Sequence, residues 1–168
     1  MKKWLFALCV ALVSAFSLWP RSYEATAKLT KGPKITMSIS PMFGIHSDWK
    51  RKIFVEYSGK RIAKELMSDT GWWRGSNLYR HTSGAYVIHE GQGWCFSFTF
   101  EPLEFDNTPE VSCVKNSIIR ATSDNISPYY RDMSYLGLFM ESSRLSDEQR
   151  IYFTGADQTL EHELPDGP

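Results

Sequence analysis

The segment from Asp69 to Tyr86 combines aromatic, basic and imidazole side chains (DTGWWRGSNLYRHTSGAY). Planar aromatic rings beside arginine and tyrosine form good recognition surfaces for sugars, peptides or another protein. The alternative is a core tryptophan with a second tryptophan at the sheet edge, and arginines that are simply solvated. The segment therefore predicts a contact surface made of seven residues, namely Trp72, Trp73, Arg74, Tyr79, Arg80, His81 and Tyr86.

Catalytic motifs are weak in this chain. Ser-x-x-Lys occurs at Ser47–Lys50 and Ser112–Lys115, but a chain this rich in serine and lysine produces such pairs by chance, and no Lys-Thr-Gly accompanies them. The competing function class is a small hydrolase of the cell envelope. It would use His81 or His89 as a base, with Asp69 or Glu90 as the acidic partner.

The cysteines favour a disulfide over a metal site. Cys9 lies in the N-terminal apolar run, which leaves Cys95 and Cys113 in the remainder of the chain. One bridge between them closes a loop of about 18 residues, worth about 3 kcal/mol in the chain-entropy treatment. A zinc site would also need His81 and His89, which fall in opposite arms of a predicted hairpin and do not converge. We therefore expect no metal and no cofactor.

An acidic stretch follows the most regular strand pattern. Five oxygen-bearing side chains fall within ten residues, at Glu101, Glu104, Asp106, Asn107 and Glu110. Calcium takes six to eight oxygens, often from one loop, but the glycine punctuation of a calcium loop is missing. A solvated acidic loop is the preferred interpretation.

The N-terminus has the pattern of an export signal. A basic start, Met1–Lys3, precedes an uncharged run from Trp4 to Trp19, and Pro20 follows. Ala25 and Ala27 then supply the small residues that a signal peptidase requires, so we predict a signal peptide over 1–27, cleaved after Ala27. The protein would be periplasmic or secreted. The alternative is an uncleaved membrane anchor, although the run is shorter than the roughly 20 residues of a stable span.

Charge and length limit the remaining choices. The chain has 168 residues with 19 basic and 19 acidic side chains, which suits one domain and argues against a nucleic-acid partner. Residues 28–80 are mainly basic and residues 81–168 mainly acidic. Two half-domains of opposite charge would be one explanation, and a single sheet structure in which basic and acidic strands pair is the preferred one. Residues 155–168 lack periodicity and are predicted to form a polar C-terminal tail.

Alternating apolar and polar residues predict strands along most of the region 28–154. The predicted strands are Lys34–Ser40, Lys52–Tyr57, Arg61–Met67, Ser76–His81, Ala85–His89, Trp94–Phe100, one or two within Val111–Thr122, Tyr135–Glu141 and Arg150–Thr154. Arg61–Met67 also suits a short helix. Short strands at hairpin spacing predict an all-β, antiparallel sandwich or small barrel.

The cysteines suggest a register for the clearest strand. Placing Cys95 opposite Cys113 pairs Trp94–Phe100 with residues 110–115 and leaves Glu101–Thr108 as a loop.

Taken together, these patterns predict an exported β-domain that acts by binding another envelope protein, a saccharide or a peptide. A small hydrolase, or a structural envelope protein held at the membrane by an uncleaved segment, are the alternatives.

Overall fold

Among the residues that the computed structural model of the chain describes, ten antiparallel strands form two sheets. The structure describes residues 21–30, 33–42, 48–69, 71, 73–91, 94–108, 111, 113, 129–142 and 149–162. The strands are β1 (Tyr23–Lys28), β2 (Lys34–Pro41), β3 (Trp49–Tyr57), β4 (Lys60–Glu65), β5 (Ser76–His81), β6 (Tyr86–His89), β7 (Cys95–Phe100), β8 (Leu103–Phe105), β9 (Met133–Glu141) and β10 (Ile151–Gly155).

The two sheets pack face to face as a sandwich. One sheet has the order β1-β2-β3-β4, and the other has the order β10-β9-β5-β6-β7-β8. At the sandwich edges β1 lies against β10 and β4 lies against β8. This confirms the all-β antiparallel prediction, in its sandwich form.

Turn chemistry explains why consecutive strands pair. Ser58 and Gly59 both have positive φ, at 49° and 76°, as a two-residue turn between twisted antiparallel strands requires. Gly84, at φ 92°, serves the β5–β6 connection. The strands predicted on both sides of these turns are confirmed as hairpins, and Arg61–Met67 forms a strand over most of its length rather than a helix.

The main core lies between the sheets. The alternating residues Ile35, Met37 and Ile39 of β2 are fully buried, and Phe96 and Phe98 of β7 face them from the other sheet. Trp94 stands at an alternate position in line with these phenylalanines, but it precedes β7 and is 58% exposed. Burial of the inward-facing residues is the main stabilising contribution to such a sandwich.

A second, smaller core covers the outer face of the six-stranded sheet. Its buried members are Tyr79, Ala85, Val87, Val111, Cys113, Tyr130 and Met133. The C-terminal segment also lies over this face, since Tyr79 donates its hydroxyl hydrogen to Glu161 Oε1 at 2.9 Å. Asn77 Nδ2 donates to the backbone oxygen of His162 at 2.7 Å. The predicted tail therefore contacts the sheet at least as far as residue 162.

The Cys95–Cys113 disulfide is confirmed, with a Cα–Cα separation of 5.7 Å. The register inferred from it is not the one observed, because β8 forms inside the predicted loop and pairs Phe98 with Phe105 and Phe100 with Leu103. Cys95 points to the outer face, so Cys113 reaches it across that face. Of the predicted strand or strands at 111–122, Val111 and Cys113 lie outside any strand, and the rest lies outside the described residues.

The basic and acidic halves of the chain meet at one edge of the sandwich. The edge strand β4 carries Lys60, Arg61 and Lys64, and Lys64 forms an ion pair with Asp106, just after β8. The predicted pairing of basic with acidic strands is not observed for β1–β4, which pair only with one another, and the opposite charges meet instead across the two sheets of one sandwich.

The N-terminal region contains a strand that sequence analysis did not predict. β1 covers the predicted cleavage position, whereas the apolar run from Trp4 to Trp19 lies outside the described residues. Within the part of the chain that the structure describes, no helix has the length and apolar character to cross a membrane.

Candidate functional site

Four hairpin turns meet at one end of the sandwich. The antiparallel register places the start of β2 beside the end of β3, since Lys34 pairs with Glu56. The β1–β2, β3–β4, β5–β6 and β7–β8 connections therefore share this end, and two adjoining depressions open between them. We call the two depressions and the residues that line them the hairpin-end cleft.

A wall of three residues separates the two depressions. Tyr57 ends β3, Phe100 ends β7, and their ring centroids are 5.5 Å apart across the two sheets. The Tyr57 hydroxyl donates a hydrogen bond to Glu101 Oε1 at 2.9 Å. That hydrogen bond to the carboxylate raises the pKa of Tyr57 above its ordinary value of 10.0.

The larger depression has a volume of about 750 Å³ and lies between the β3–β4 and β7–β8 hairpins. Its lining mixes both signs of charge with apolar surface, through Ser58, Lys60, Arg61, Ile62, Pro102, Leu103 and Glu104 beside the wall. Arg61 is held over the Phe54 ring, 4.0 Å from its centroid, and forms an ion pair with Glu56 at 3.3 Å. The guanidinium of this lining residue is therefore held against Phe54 and Glu56, which are not part of the lining.

The smaller depression has a volume of about 420 Å³ and contains two of the predicted residues, Arg80 and Tyr86. They are paired across β5 and β6, and Arg80 is exposed. The Tyr86 ring stacks on Phe98 at 5.6 Å and meets Phe100 edge-on at 4.8 Å, which fixes its orientation. Thr30, Pro33, Ser83, Gly84 and Thr99 also line it, together with the wall.

The other predicted surface residues lie elsewhere. Trp73 is 6% exposed, and its Nε1 donates to Ser76 Oγ at 3.0 Å, so its ring belongs to the core. Tyr79 is buried on the outer face of the sheet, Arg74 is exposed outside the cleft lining, and His81 Nδ1 hydrogen-bonds Ser83 Oγ at 2.8 Å in the β5–β6 turn. Trp72 lies outside the described residues. The structure thus divides the predicted set and brings only Arg80 and Tyr86 into one cleft.

The residues of the hydrolase alternative do not gather in the cleft. His89 is buried, and its Nδ1 accepts a hydrogen bond from the Gly91 amide at 3.1 Å. Asp69 is buried and accepts the Trp73 amide at 2.9 Å. In the described ranges of the chain, no three His, Cys, Asp or Glu side chains approach one another closely enough to hold a metal ion.

A buried polar network holds the opposite end of the sandwich. Arg51, only 2% exposed on β3, donates through Nε and Nη2 to the Met67 carbonyl at 3.1 and 2.9 Å, and through Nη1 to the Glu90 carbonyl at 2.8 Å. Its Nη2 lies 3.8 Å from Glu90 Oε2, which also accepts the Met67 amide at 2.8 Å. Its guanidinium lies 5.1 Å from the Trp73 ring centroid. This network ties the two sheets and the intervening segment together.

Burial acts on both charges of this network. It raises the pKa of Glu90, although the Met67 amide and Arg51 act in the opposite direction. It also lowers the pKa of Arg51, against the attraction of Glu90 and Asp69, but a guanidinium stays protonated at any physiological pH.

Sequence reasoning missed the wall residues of the cleft. Tyr57 lies 44 residues before Glu101 along the chain, and its meeting with Glu101 and the adjacent Phe100 depends on how the two sheets stack. Tyr57 and Phe100 each end a strand just before a hairpin turn, so an aromatic residue next to a turn was the available signal for these two. Glu101 was noted only as part of the acidic stretch.

Comparisons with known proteins add no precedent for this arrangement. No protein family, no curated protein and no solved structure matches the chain. The function must therefore be inferred from the hairpin-end cleft itself.

Proposed function

We propose that this chain is an exported binding module that holds a carbohydrate in the hairpin-end cleft. The observation that carries the proposal is the wall of Tyr57, Phe100 and Glu101 between two depressions of about 750 and 420 Å³. Ligand clefts in proteins have volumes of about 300–1,000 Å³ and combine apolar surface with a few placed polar groups.

The chemistry of the lining favours a saccharide. Sugar rings present apolar C–H faces that pack on aromatic rings, and their hydroxyls need both donors and acceptors. Tyr57, Tyr86 and Phe100 supply partly exposed rings, Arg80 supplies donors and Glu101 supplies acceptor oxygens. Because the cleft carries both signs of charge, it suits a ligand without a large net charge.

The Cys95–Cys113 bridge supports export. Disulfides persist in oxidising compartments such as the periplasm or the extracellular space, and the Met1–Pro20 segment has the order of charges and apolar residues of an export signal. A binding protein in that compartment would meet envelope or extracellular glycans.

The test is a glycan array probed with the oxidised domain, followed by calorimetry on the glycans retained. Arg80→Met should weaken binding by about 10- to 150-fold, because a hydrogen bond to a charged group is worth about 1.5–3 kcal/mol. Arg74→Met is the matched control, since Arg74 is also exposed but lies outside the cleft lining. It should leave the affinity unchanged.

Two results would contradict the proposal. Equal loss of glycan binding in both variants would show that the contact is a general effect of positive charge. A domain that retains no glycan but captures extended peptides, in a manner sensitive to Arg80→Met, would replace the carbohydrate with a peptide ligand.

A further inference from the structure

The predicted signal peptidase site lies inside a strand of the sandwich. Cleavage after Ala27 would remove Tyr23–Ala27 and leave only Lys28 of β1. β1 pairs with β2 along its whole length, from Tyr23 opposite Ile39 to Lys28 opposite Lys34. The cleavage site that the small-residue pattern predicts therefore lies in a strand whose every residue pairs with β2.

β1 is part of the core rather than an appended edge. Ala25 is 5% exposed and Ala27 is fully buried. The Tyr23 ring meets Trp49 edge-on at 6.1 Å, and Thr26 Oγ1 lies 2.9 Å from Thr36 Oγ1. The alternation of buried alanines with exposed Glu24 and Lys28 is the pattern expected of a strand with one face on a core.

β1 also connects the two sheets. It packs against β10, the edge strand of the six-stranded sheet. Gln149 Nε2 donates to the backbone oxygen of Glu24 at 2.7 Å and to that of Ile151 at 2.8 Å, so one amide bridges the two edge strands.

Removing β1 would open the sandwich at this edge. The inward faces of Ile35, Met37 and Ile39, which are fully buried, would lose their neighbours on one side. The outer backbone groups of β2 would become an unpaired sheet edge, which is prone to pairing with other chains. A product that starts at Lys28 would therefore have a partly exposed core and an unpaired edge on β2.

We propose that β1 is retained in the exported protein and that signal peptidase cuts before Tyr23. Ala15-Phe16-Ser17, at the end of the apolar run, supplies small residues at the two required positions. This leaves an apolar segment of ordinary length for a signal peptide ahead of the cut. The inference rests on the export part of the proposed function and is independent of the ligand.

The first test is Edman sequencing and intact-mass measurement of the protein recovered from the periplasm of a bacterium expressing the full chain. We expect an N-terminus upstream of Tyr23. An N-terminus at Lys28 would overturn the inference, and an exported, oxidised protein that still begins at Met1 would overturn the processing step. Failure of export itself would show instead as free Cys95 and Cys113 thiols in the cytoplasmic fraction.

The second test separates processing from folding. Chains beginning at Leu18 and at Lys28 are each directed to the periplasm by an unrelated leader. The longer chain should be soluble, with a cooperative thermal transition, whereas the shorter chain should be degraded or lack that transition. Equal melting temperatures for the two would show that β1 is dispensable and would refute its retention as a structural requirement.

Discussion

Replacing Arg51 tests whether the buried polar network holds the two sheets together. Arg51→Met keeps most of the side-chain volume but removes the donors to the Met67 and Glu90 carbonyls. Breaking a buried charged pair by removing one partner costs about 3–5 kcal/mol. Because Ser76 Oγ still donates to the Glu90 carbonyl at 3.1 Å, we expect the lower end of that range, about 3 kcal/mol.

The assay is equilibrium unfolding of the oxidised protein in urea, with the free energy of unfolding taken from the midpoint and slope. Lys52→Met is the matched control on the neighbouring position of β3. Lys52 lies 3.7 Å from Glu65 in an exposed ion pair, so its loss should cost less than about 1 kcal/mol.

The outcome that refutes this reasoning is a small effect of Arg51→Met. A loss of less than about 1 kcal/mol would mean that apolar packing replaces the network without cost, as happens in some proteins with buried ion pairs. If Arg51→Met fails to fold, Arg51→Lys gives the same comparison. Arg51→Lys keeps the charge but loses the planar set of donors. Its free energy of unfolding should be lower than that of the wild type, by less than the loss of about 3 kcal/mol expected for Arg51→Met.

Three further outcomes follow from described contacts. Burial raises the pKa of Glu90 above its ordinary 4.5, so the folded state binds that proton more tightly than the unfolded chain does. The free energy of unfolding of the wild type relative to that of Glu90→Gln should therefore fall as the pH rises from about 4.5 through the folded-state pKa, and then level off. Urea unfolding at a series of pH values measures this difference, and a difference that stays constant from about pH 4 to pH 7 would contradict the expectation. The Cys95→Ser/Cys113→Ser double variant should lose about 3 kcal/mol in the same assay, and an unchanged urea midpoint would show that the bridge contributes nothing. Tyr79→Phe removes the donor to Glu161, so hydrogen exchange should speed up in residues 156–162; unchanged exchange there would mean that this bond does not hold the C-terminal segment.

Local chemistry made most of the fold predictable. The Ser58-Gly59 turn and the alternation of Ile35, Met37 and Ile39 act through backbone geometry and burial within a few residues, so the sequence alone specifies those strands. The disulfide was predictable because only two cysteines remain outside the apolar run.

Competing signals hid two strands. β1 resembles the end of a signal peptide, because the buried alanines of an edge strand satisfy the same small-residue rule as a cleavage site. β8 lies in a stretch rich in acidic residues that resembles a solvated loop, although its Leu103 and Phe105 pair with Phe100 and Phe98 of β7.

The candidate site was only half accessible from sequence. Arg80 and Tyr86 stood out because they are arginine and aromatic residues, yet the aromatic residues Trp73 and Tyr79 stood out for the same reason and are buried. The alternation along a strand predicts which face of the sheet a residue lies on. Whether that face is buried depends on the packing of the second sheet and of the C-terminal segment, which the alternation does not predict. The pairing of Tyr57 with Glu101 is a consequence of sheet stacking, which no local pattern encodes.

The charges on β4 have a consequence for the protein at high concentration. An edge strand exposes unpaired backbone groups that can recruit the edge of another molecule and start aggregation. Lys60, Arg61 and Glu65 of β4 are exposed, and Lys60, Arg61 and Lys64 would all have to be desolvated if a second sheet docked there. The lysine that binds Asp106 within the molecule thus belongs to a charged row that we expect to oppose association between molecules.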